Sequence, residues 1–234
     1  MFRLNGNNTT INGLSGAGTN DNAAAGAATL TVGSNDDTST FDGLCRDGGS
    51  GNFGLIKTGA GTLTLSGTNT YSGGTTVNAG MLQIGGSGQL GGGTYSGAIS
   101  NSSQFYYNSA ADQTLSGVIS GTGAVIKANS GTLTLSGQNT YSGPTIVSSG
   151  TLGTGAELAL TANTTLEVFS GGNIDLGGTT QTVDRLYFDT FLQIAGSYGG
   201  AGSGAMFVYT NYFTGSGILN VIHGIPQGTV IMMY

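Results

Sequence analysis

The sequence predicts an all-β protein folded as a single β-solenoid, with short coils and Gly-rich corners. The first observation is an internal repeat, because the segment 57–73 returns 70 residues later as 127–143 without a gap. Repetition at a fixed period is typical of solenoids and related arrays. The second is glycine, which supplies 46 of the 234 residues against a usual share of about 7 %. The third is a series of short alternating runs of Val, Ile, Leu and Thr, the pattern of strands.

The charge pattern excludes several classes of partner. Five basic residues are scattered along the chain and the formal net charge is −6, so no surface for nucleic acid or anionic lipid is expected. No apolar run reaches the roughly 18 residues of a membrane-spanning helix, and no membrane insertion is predicted. Cys45 is the one cysteine, which rules out an internal disulfide. We favour a buried Cys45, with pairing between two chains as the alternative.

The N-terminal part predicts irregular coils with short strands. Residues 9–11 read as a short strand, and residues 28–32 alternate apolar and polar side chains as a half-buried strand does. Residues 35–37 are Asn-Asp-Asp, which predicts a turn. A further strand is expected over 40–44.

The unit 54–82 sets the architecture. Its expected strands are 54–57, 62–65, 75–77 and 81–84. Roughly twenty residues bring the pattern back to its start. A β-sandwich needs strands of about five to ten residues at 8–12-residue spacing, so shorter strands with glycine at the corners favour a solenoid. Each strand then pairs in parallel one coil away at about 4.8 Å, and on the order of ten coils extend roughly 45–50 Å.

The C-terminal third is less regular. Its expected strands are 158–160, 165–168 and 173–175. Larger and aromatic side chains concentrate over 183–222, which we interpret as terminal coils that close the core. The solenoid is therefore expected to occupy 1–222, and residues 223–234 form a C-terminal apolar tail beyond it.

The segments 54–82 and 124–152 resemble the autotransporter-associated β-strand repeat, in which a G-T-L-T-L-S-G-x-N-T-Y core follows a lysine. The first copy matches this pattern nearly throughout, and the second departs from it at Ala124, Asn129 and Pro144. The resemblance implies a right-handed parallel β-helix that is secreted or displayed on a bacterial cell surface. It transfers no chemistry, because the shared positions are structural.

No catalytic constellation is found, and the protein is predicted not to be an enzyme and to use no cofactor or metal. His223 is the one histidine, and no G-x-S-x-G nucleophile motif accompanies it. We interpret it as an exposed coil residue. The acids weighed for polysaccharide cleavage are Asp36, Asp37, Asp42, Asp175 and Asp184. The first three are interpreted as turn residues that bond to their own backbone, and no repeated Asp-rich motif suggests calcium.

Several side chains of the repeat receive structural interpretations. Lys57 and Lys127 hold equivalent positions and are expected to be outward and solvated. Asn69 is expected to allow left-handed backbone angles in a turn. Tyr71 and Tyr141 are expected to stack at a corner or cover the edge of the core. Four asparagines stand in N-x-S/T sequons, namely Asn7, Asn8, Asn101 and Asn163.

Two functions from different classes remain open. The first is an extracellular structural solenoid that assembles head to tail into a fibre or surface layer, because the ends of a solenoid are open sheet edges. Its assembly strand would be the uncharged, β-prone tail Thr229, Val230, Ile231, Met232, Met233 and Tyr234. The alternative is a monomeric surface adhesin that binds a glycan or a protein along one solenoid face.

Overall fold

The computed structural model describes residues 1–225, which fold almost entirely into short strands. Within this range the helical content is one 3₁₀ turn, Gly91–Gly93, and no helix is long and apolar enough to cross a membrane. The expected assembly strand Thr229–Tyr234 lies outside the described residues. Parallel pairing between successive coils builds a β-solenoid of about nine turns, as the sequence predicted.

The first half of the described chain contains fifteen strands. They are β1 Phe2–Arg3, β2 Thr9–Ile11, β3 Thr19–Asn22, β4 Ala28–Val32, β5 Ser39–Phe41, β6 Leu44–Asp47, β7 Phe53–Lys57, β8 Thr62–Leu65, β9 Thr75–Val77, β10 Met81–Gly86, β11 Thr94–Tyr95, β12 Ile99–Asn101, β13 Gln104–Ser109, β14 Gln113–Leu115 and β15 Ile119–Ser120.

The second half adds thirteen. They are β16 Ala124–Lys127, β17 Thr132–Leu135, β18 Thr145–Val147, β19 Gly150–Thr154, β20 Thr165–Val168, β21 Gly172–Asp175, β22 Thr180–Val183, β23 Arg185–Phe188, β24 Phe191–Leu192, β25 Gly196–Gly199, β26 Phe207–Val208, β27 Phe213–Thr214 and β28 Ile218–Val221.

The strands line three long faces, which the chain visits in the same order in every turn. The first face carries β2, β4, β7, β9, β12 and β15. The second carries β5, β8, β10, β13, β16, β18, β20, β23 and β24. The third carries β1, β3 and β6, then β11, β14, β17, β19, β21 and β27. The two sheets of the third face are linked by residue 70, whose N–H donates to the Cys45 carbonyl at 2.9 Å.

One turn takes about twenty residues. On the first face Leu55 pairs with Thr75, and Ile99 pairs with Ile119, each 20 residues on. Side chains alternate inward and outward along every strand because the strand period is two. Leu63 and Leu65 of β8 are fully buried while the threonines between them are half-exposed. Inward side chains of successive coils therefore stack into one continuous core.

Glycine is required where the corners of adjacent coils touch. At Gly131 a Cβ would lie 2.1 Å from the Ala111 carbonyl oxygen of the coil before. At Gly150 the backbone φ is +69°, and a Cβ would lie 2.1 Å from the Asn129 carbonyl oxygen. A side chain at either corner would force the coils apart, which is why the corners are rich in glycine.

The two ends of the stack differ. At the N-terminal end the outermost strands β1, β2 and β5 each have a neighbour on one side, so their outer edges are unpaired. At the C-terminal end the parallel order stops, because β24 pairs antiparallel with β23 and β25 pairs antiparallel with β28. The expectation of two open ends was therefore wrong for the C-terminal end.

Some predicted strands need correction. Residues 158–160 form a turn and bend instead of a strand, because Leu158 takes a φ of +61° and is 56 % exposed. Residues 40–44 belong to two strands on different faces, β5 and β6, with a corner between them. The turn at 35–37 is confirmed, and Asp36 has a φ of +65° within it.

Candidate functional site

The lysines of the repeat are buried inside corners, so the expected solvated orientation was wrong. The Lys57 side chain is 0 % exposed. Its ammonium donates hydrogen bonds to the carbonyl oxygens of Thr58 and Gly59 in its own corner and of Ala79 in the next coil, the last two at 2.8 and 3.3 Å. Burial lowers the Lys57 pKa, and the charge of Asp36 opposes that effect. The ammonium supplies donors to carbonyls that a tight corner leaves without partners.

Lys127 repeats this arrangement in the second copy. It is 1 % exposed and donates to the carbonyl oxygens of Ala128, Asn129 and Ser149 at 2.7, 2.7 and 3.2 Å. Burial lowers the pKa of Lys127 to about 8, partly opposed by the charge of Asp112. We call each buried ammonium with its three carbonyls a lysine corner.

Two further contacts recur in both copies. The hydroxyls of Tyr71 and Tyr141 lie 2.8 and 2.7 Å from the hydroxyls of Thr75 and Thr145, and all four side chains are buried. The tyrosines are thus core residues, and Tyr71 packs at a ring-centroid distance of 5.6 Å from Phe53.

The asparagines bridge three coils. The Asn69 side-chain oxygen accepts from the Cys45 N–H at 2.9 Å, and its amide donates to the Gln89 carbonyl at 3.3 Å. Asn139 accepts from the Ile119 N–H at 2.8 Å and donates to the Ala159 carbonyl at 2.7 Å. Asn69 is not among the residues with positive φ, so its role is this bridge and not a left-handed turn.

The two copies occupy different faces. Pairing leads from Lys57 to Val77 and on to Asn101, and the same face continues to residue 121. These three turns take 20, 24 and 20 residues, which is 64 of the 70 that separate the copies. The remaining six residues carry the chain round one corner. Lys57 therefore lies in β7 on the first face and Lys127 in β16 on the second.

The departures of the second copy fit its geometry. Asn129 has a φ of +64° where Gly59 has +69°, and asparagine tolerates this region better than most residues. Pro144 replaces Gly74 directly before a strand. The Pro144 carbonyl accepts from the Val125 N–H at 2.9 Å, as the Gly74 carbonyl accepts from the Leu55 N–H at 3.0 Å. The backbone acceptor is kept at this position, and that contact does not use the N–H that proline lacks.

The acids considered for catalysis are separated and serve the backbone or each other's neighbours. Asp36 accepts from the Ala60 N–H at 2.6 Å, Asp37 from the Asn35 amide at 2.6 Å, and Asp42 from the Ser66 hydroxyl. Each bond lies in a turn or links two coils at a corner. Within residues 1–225 no group of three or more His, Cys, Asp and Glu is placed to hold a metal ion.

His223 contacts an acid that the sequence analysis had not paired with it. Its Nδ1 lies 2.6 Å from the Asp184 carboxylate, which also binds Arg185 at 2.9 Å. The His223 side chain is 65 % exposed, as expected. Asp175 lies apart from this cluster and accepts from the Gly177 N–H at 2.9 Å.

Cys45 is confirmed as a buried, free cysteine. Burial raises the pKa of its thiol to about 12, so the reactive thiolate is disfavoured. Among the sequons, Asn101 is fully buried and its amide donates to the Ala124 carbonyl. Asn7, Asn8 and Asn163 are exposed.

The open N-terminal end contains a pocket of about 400 Å³, which we call the N-terminal mouth. Its lining residues are Met1, Phe2, Ile11, Gly13, Leu14, Ser15, Gly18, Thr19, Asn20 and Phe41. Met1 and Phe2 are 68 % and 40 % exposed. The sequence analysis missed this pocket, because its lining comes from the first two coils and no local pattern joins them.

Charged side chains stand beside the mouth. Asp21 of β3 is buried, with Arg3 at 3.7 Å on one side and Arg46 at 3.5 Å on the other. The three residues are in register across β1, β3 and β6. Two exposed arginines against one acid leave this end of the third face with a positive balance.

The closed C-terminal end is filled by aromatic rings. Phe188 stacks on Tyr212 at a centroid distance of 4.1 Å and meets Phe213 edge-on at 5.9 Å. The Tyr212 hydroxyl donates to Asp189 at 2.8 Å. Tyr198 is buried against the same cluster. The larger side chains of 183–222 therefore pack over the last coils.

Comparison with known proteins finds one family. The passenger-associated-transport-repeat matches residues 55–84 and 125–153, within two residues of the units defined from the sequence. No curated protein and no solved structure matches the chain. The family assignment, the lysine corners in both copies and the stacked parallel coils agree with one another. The chain is an autotransporter-associated β-helix repeat protein that carries two passenger-associated-transport-repeats.

Proposed function

We propose that this passenger-type structural domain works outside the cell or on its surface as a rod, and that one copy adds head to tail to the next. The passenger repeat itself implies an extracellular or surface location. The observation that carries the proposal is the difference between the two ends. One end presents unpaired strand edges around an apolar pocket, and the other ends in antiparallel strands.

The occupant of the N-terminal mouth is the segment 229–234 of a second copy. The sequence of this segment is uncharged and rich in β-branched and other apolar residues. Such a segment suits addition to a free strand edge, where main-chain hydrogen bonds supply affinity and alternate side chains fill pockets. The mouth offers both the edges of β1 and β2 and an apolar lining.

The tail cannot fill the mouth of its own chain. It leaves the described structure after Ile225, which pairs with Ile194 at the C-terminal end. About nine turns at about 4.8 Å place the mouth roughly 40 Å away. The nine residues 226–234 reach at most about 32 Å when fully extended. A contact between tail and mouth is therefore intermolecular, and because it joins different surfaces it propagates as an open filament.

The charges favour the same polarity. The N-terminal end carries the exposed Arg3 and Arg46 around one buried acid. From residue 150 onward the described chain has five acids and one arginine. Opposite charges at the two ends steer encounter and disfavour contacts between like ends.

The experiment compares the full chain with a chain lacking residues 226–234 and with Phe2→Asp, which places a charge in the mouth. Mass by light scattering and negative-stain images are recorded over a concentration series. We expect the full chain to form filaments one solenoid wide, and both variants to stay monomeric with unchanged circular dichroism. Leu158→Asp, an exposed apolar site away from the ends, is the control and should still assemble.

A second measurement uses the truncated chain and a synthetic peptide of residues 226–234. Calorimetry should detect binding that Phe2→Asp weakens and Leu158→Asp leaves unchanged. Filaments that persist without the tail would contradict the proposal. A full chain that stays monomeric at every concentration, with no peptide binding, would also contradict it.

A further inference from the structure

We propose that the outer surface of the second face, near the C-terminal end, binds a neutral glycan. The site is a shallow depression of about 550 Å³ lined by Ser142, Pro144, Thr165, Glu167, Tyr187 and Thr190, which we call the glycan shelf. This inference is independent of assembly, because it concerns the side of the rod and not its ends.

Glu167 is the acid that the fold leaves unused. All eleven acidic residues lie within the described part of the chain. Ten have a hydrogen bond or ion pair, namely Asp21, Asp36, Asp37, Asp42, Asp47, Asp112, Glu157, Asp175, Asp184 and Asp189. Within residues 1–225 the Glu167 carboxylate has none. It stands half-exposed in β20, with all its acceptor capacity available to a ligand.

Tyr187 stands beside this carboxylate. Glu167 of β20 and Tyr187 of β23 are direct partners in a parallel pair, so their side chains project side by side from the same face. Tyr187 is half-exposed, and within the described residues its hydroxyl has no partner. An aromatic face carries negative charge density and attracts the polarised C–H groups of a sugar ring. A ring next to a carboxylate thus offers stacking and hydrogen-bond acceptance to one sugar.

The rest of the lining suits hydroxyl groups. The side-chain hydroxyls of Ser142, Thr165 and Thr190 make no hydrogen bonds among the described residues, and each can donate and accept. Pro144 adds a rigid apolar surface. A small number of polar groups set on an apolar base is the usual composition of a small-molecule site, and the volume lies in the usual range of about 300–1,000 Å³.

The charges select a neutral ligand. Glu167 brings one negative charge, and the adjacent Arg185 is engaged by Asp184 at 2.9 Å. An acidic polysaccharide would meet a carboxylate with no free cation in the lining. One carboxylate is also too few for a calcium site, which takes six to eight oxygen ligands. A sugar rich in hydroxyls and without charge fits these groups.

The shelf continues into a strip along the axis. Pairing in register places Tyr106, Ile126, Ile146, Glu167 and Tyr187 in one outward row on β13, β16, β18, β20 and β23. Each of these side chains is half-exposed. Four steps of about 4.8 Å separate the two tyrosines by about 19 Å. A linear oligosaccharide lying along the strip would reach both rings.

The test is binding to an array of neutral and acidic oligosaccharides, followed by calorimetry with the strongest neutral ligand on the array. We expect Tyr187→Ala and Glu167→Gln each to weaken binding about tenfold, which corresponds to about 1.4 kcal/mol. Tyr106→Ala should weaken long oligosaccharides and leave short ones unchanged. Glu157→Gln is the matched control, because that carboxylate is exposed but bonded to the Thr180 N–H, and it should bind as the unaltered chain does.

Circular dichroism of each variant must match that of the unaltered chain, which we expect since the altered side chains point outward. Absence of any neutral ligand on the array would overturn the proposal. So would a neutral ligand whose affinity is unchanged by both Tyr187→Ala and Glu167→Gln, or a preference for acidic oligosaccharides. The assembly experiment has its own readout, so failure of one proposal leaves the other standing.

Discussion

The two copies of the repeat, 54–82 and 124–152, make the same contacts although they lie on different faces of the solenoid. Each has a lysine corner, a buried Tyr–Thr pair and an asparagine that bridges three coils. The neighbours are not the same, since the copies are turned by one face relative to each other. The repeat therefore specifies a corner and its adjoining strands, and it does not specify a particular side of the rod.

Where the copies differ, the surrounding coils are the cause. Lys127 lies 5.9 Å from the centroid of the Tyr107 ring, its partner in register, whereas Lys57 has Val32 at that position. The Tyr71 ring meets the Tyr95 ring at 5.5 Å, and Thr75 also bonds the Tyr95 hydroxyl. These differences predict small departures from otherwise equal energetics, and substitutions in matched pairs can measure them.

The largest effect is expected from the leucines. Leu63→Ala and Leu133→Ala each remove a fully buried side chain and should lower the free energy of unfolding by about 2–5 kcal/mol. Urea denaturation followed by circular dichroism measures it, with the exposed Leu158→Ala as control. A loss at one leucine and none at the other would show that the copies are not equivalent in packing.

The lysine corners come next. Lys57→Met and Lys127→Met keep much of the side-chain volume but leave up to three carbonyls without a donor, so each should cost about 2 kcal/mol. The cost at Lys127 should be larger by about 0.5–1 kcal/mol, because its contact with the Tyr107 ring is also lost. Exposed Arg185→Met is the comparison. Stabilisation by either methionine would mean that desolvation of the ammonium outweighs its hydrogen bonds.

The tyrosine hydroxyls are expected to contribute less. Tyr71→Phe and Tyr141→Phe each remove one buried hydrogen bond to a threonine and should cost about 0.5–1.5 kcal/mol. Thr75 keeps its bond to the Tyr95 hydroxyl at 2.8 Å, and Thr145 keeps a bond to Thr164 at 3.2 Å. Tyr71→Phe should therefore be the milder change. Equal urea midpoints for the two variants would remove this distinction.

The smallest effect is the dependence of stability on pH. The folded-state pKa of Lys127 is lowered to about 8 from 10.5, so the folded chain binds fewer protons between these values and stability rises with pH there. The pKa of Tyr141 is raised to about 12 from 10.0, so stability declines as pH rises from about 10 through 12. Lys127→Met should flatten the rise and leave the decline, and a rise that survives Lys127→Met would rule out this lysine as its source.

The sequence predicted most of the fold because its information is local. Alternation of side chains gave the bounds of β4, β8, β9 and β20, and the corner glycines indicated short coils. The turn at 158–160 was missed because Leu-Ala-Leu resembles a strand, while the leucine backbone there is left-handed. Periodicity reports which residues alternate, but not where the chain leaves the sheet.

The side-chain roles were less predictable. A lysine between two turns is usually solvated, and only the approach of the next coil reveals the carbonyls that hold Lys57. The mouth and the shelf combine residues some twenty positions apart on successive coils. The one-turn register could have grouped Glu167 with Tyr187 from the sequence, had the length of each coil been known in advance.

The six residues by which the two copies exceed three full turns have a consequence for how such molecules lengthen. Duplicating a 70-residue stretch adds height and also rotates everything that follows by a third of a revolution. Successive insertions of this kind would distribute a lateral binding surface helically around the shaft. A long member built this way would present it toward every direction instead of along one stripe.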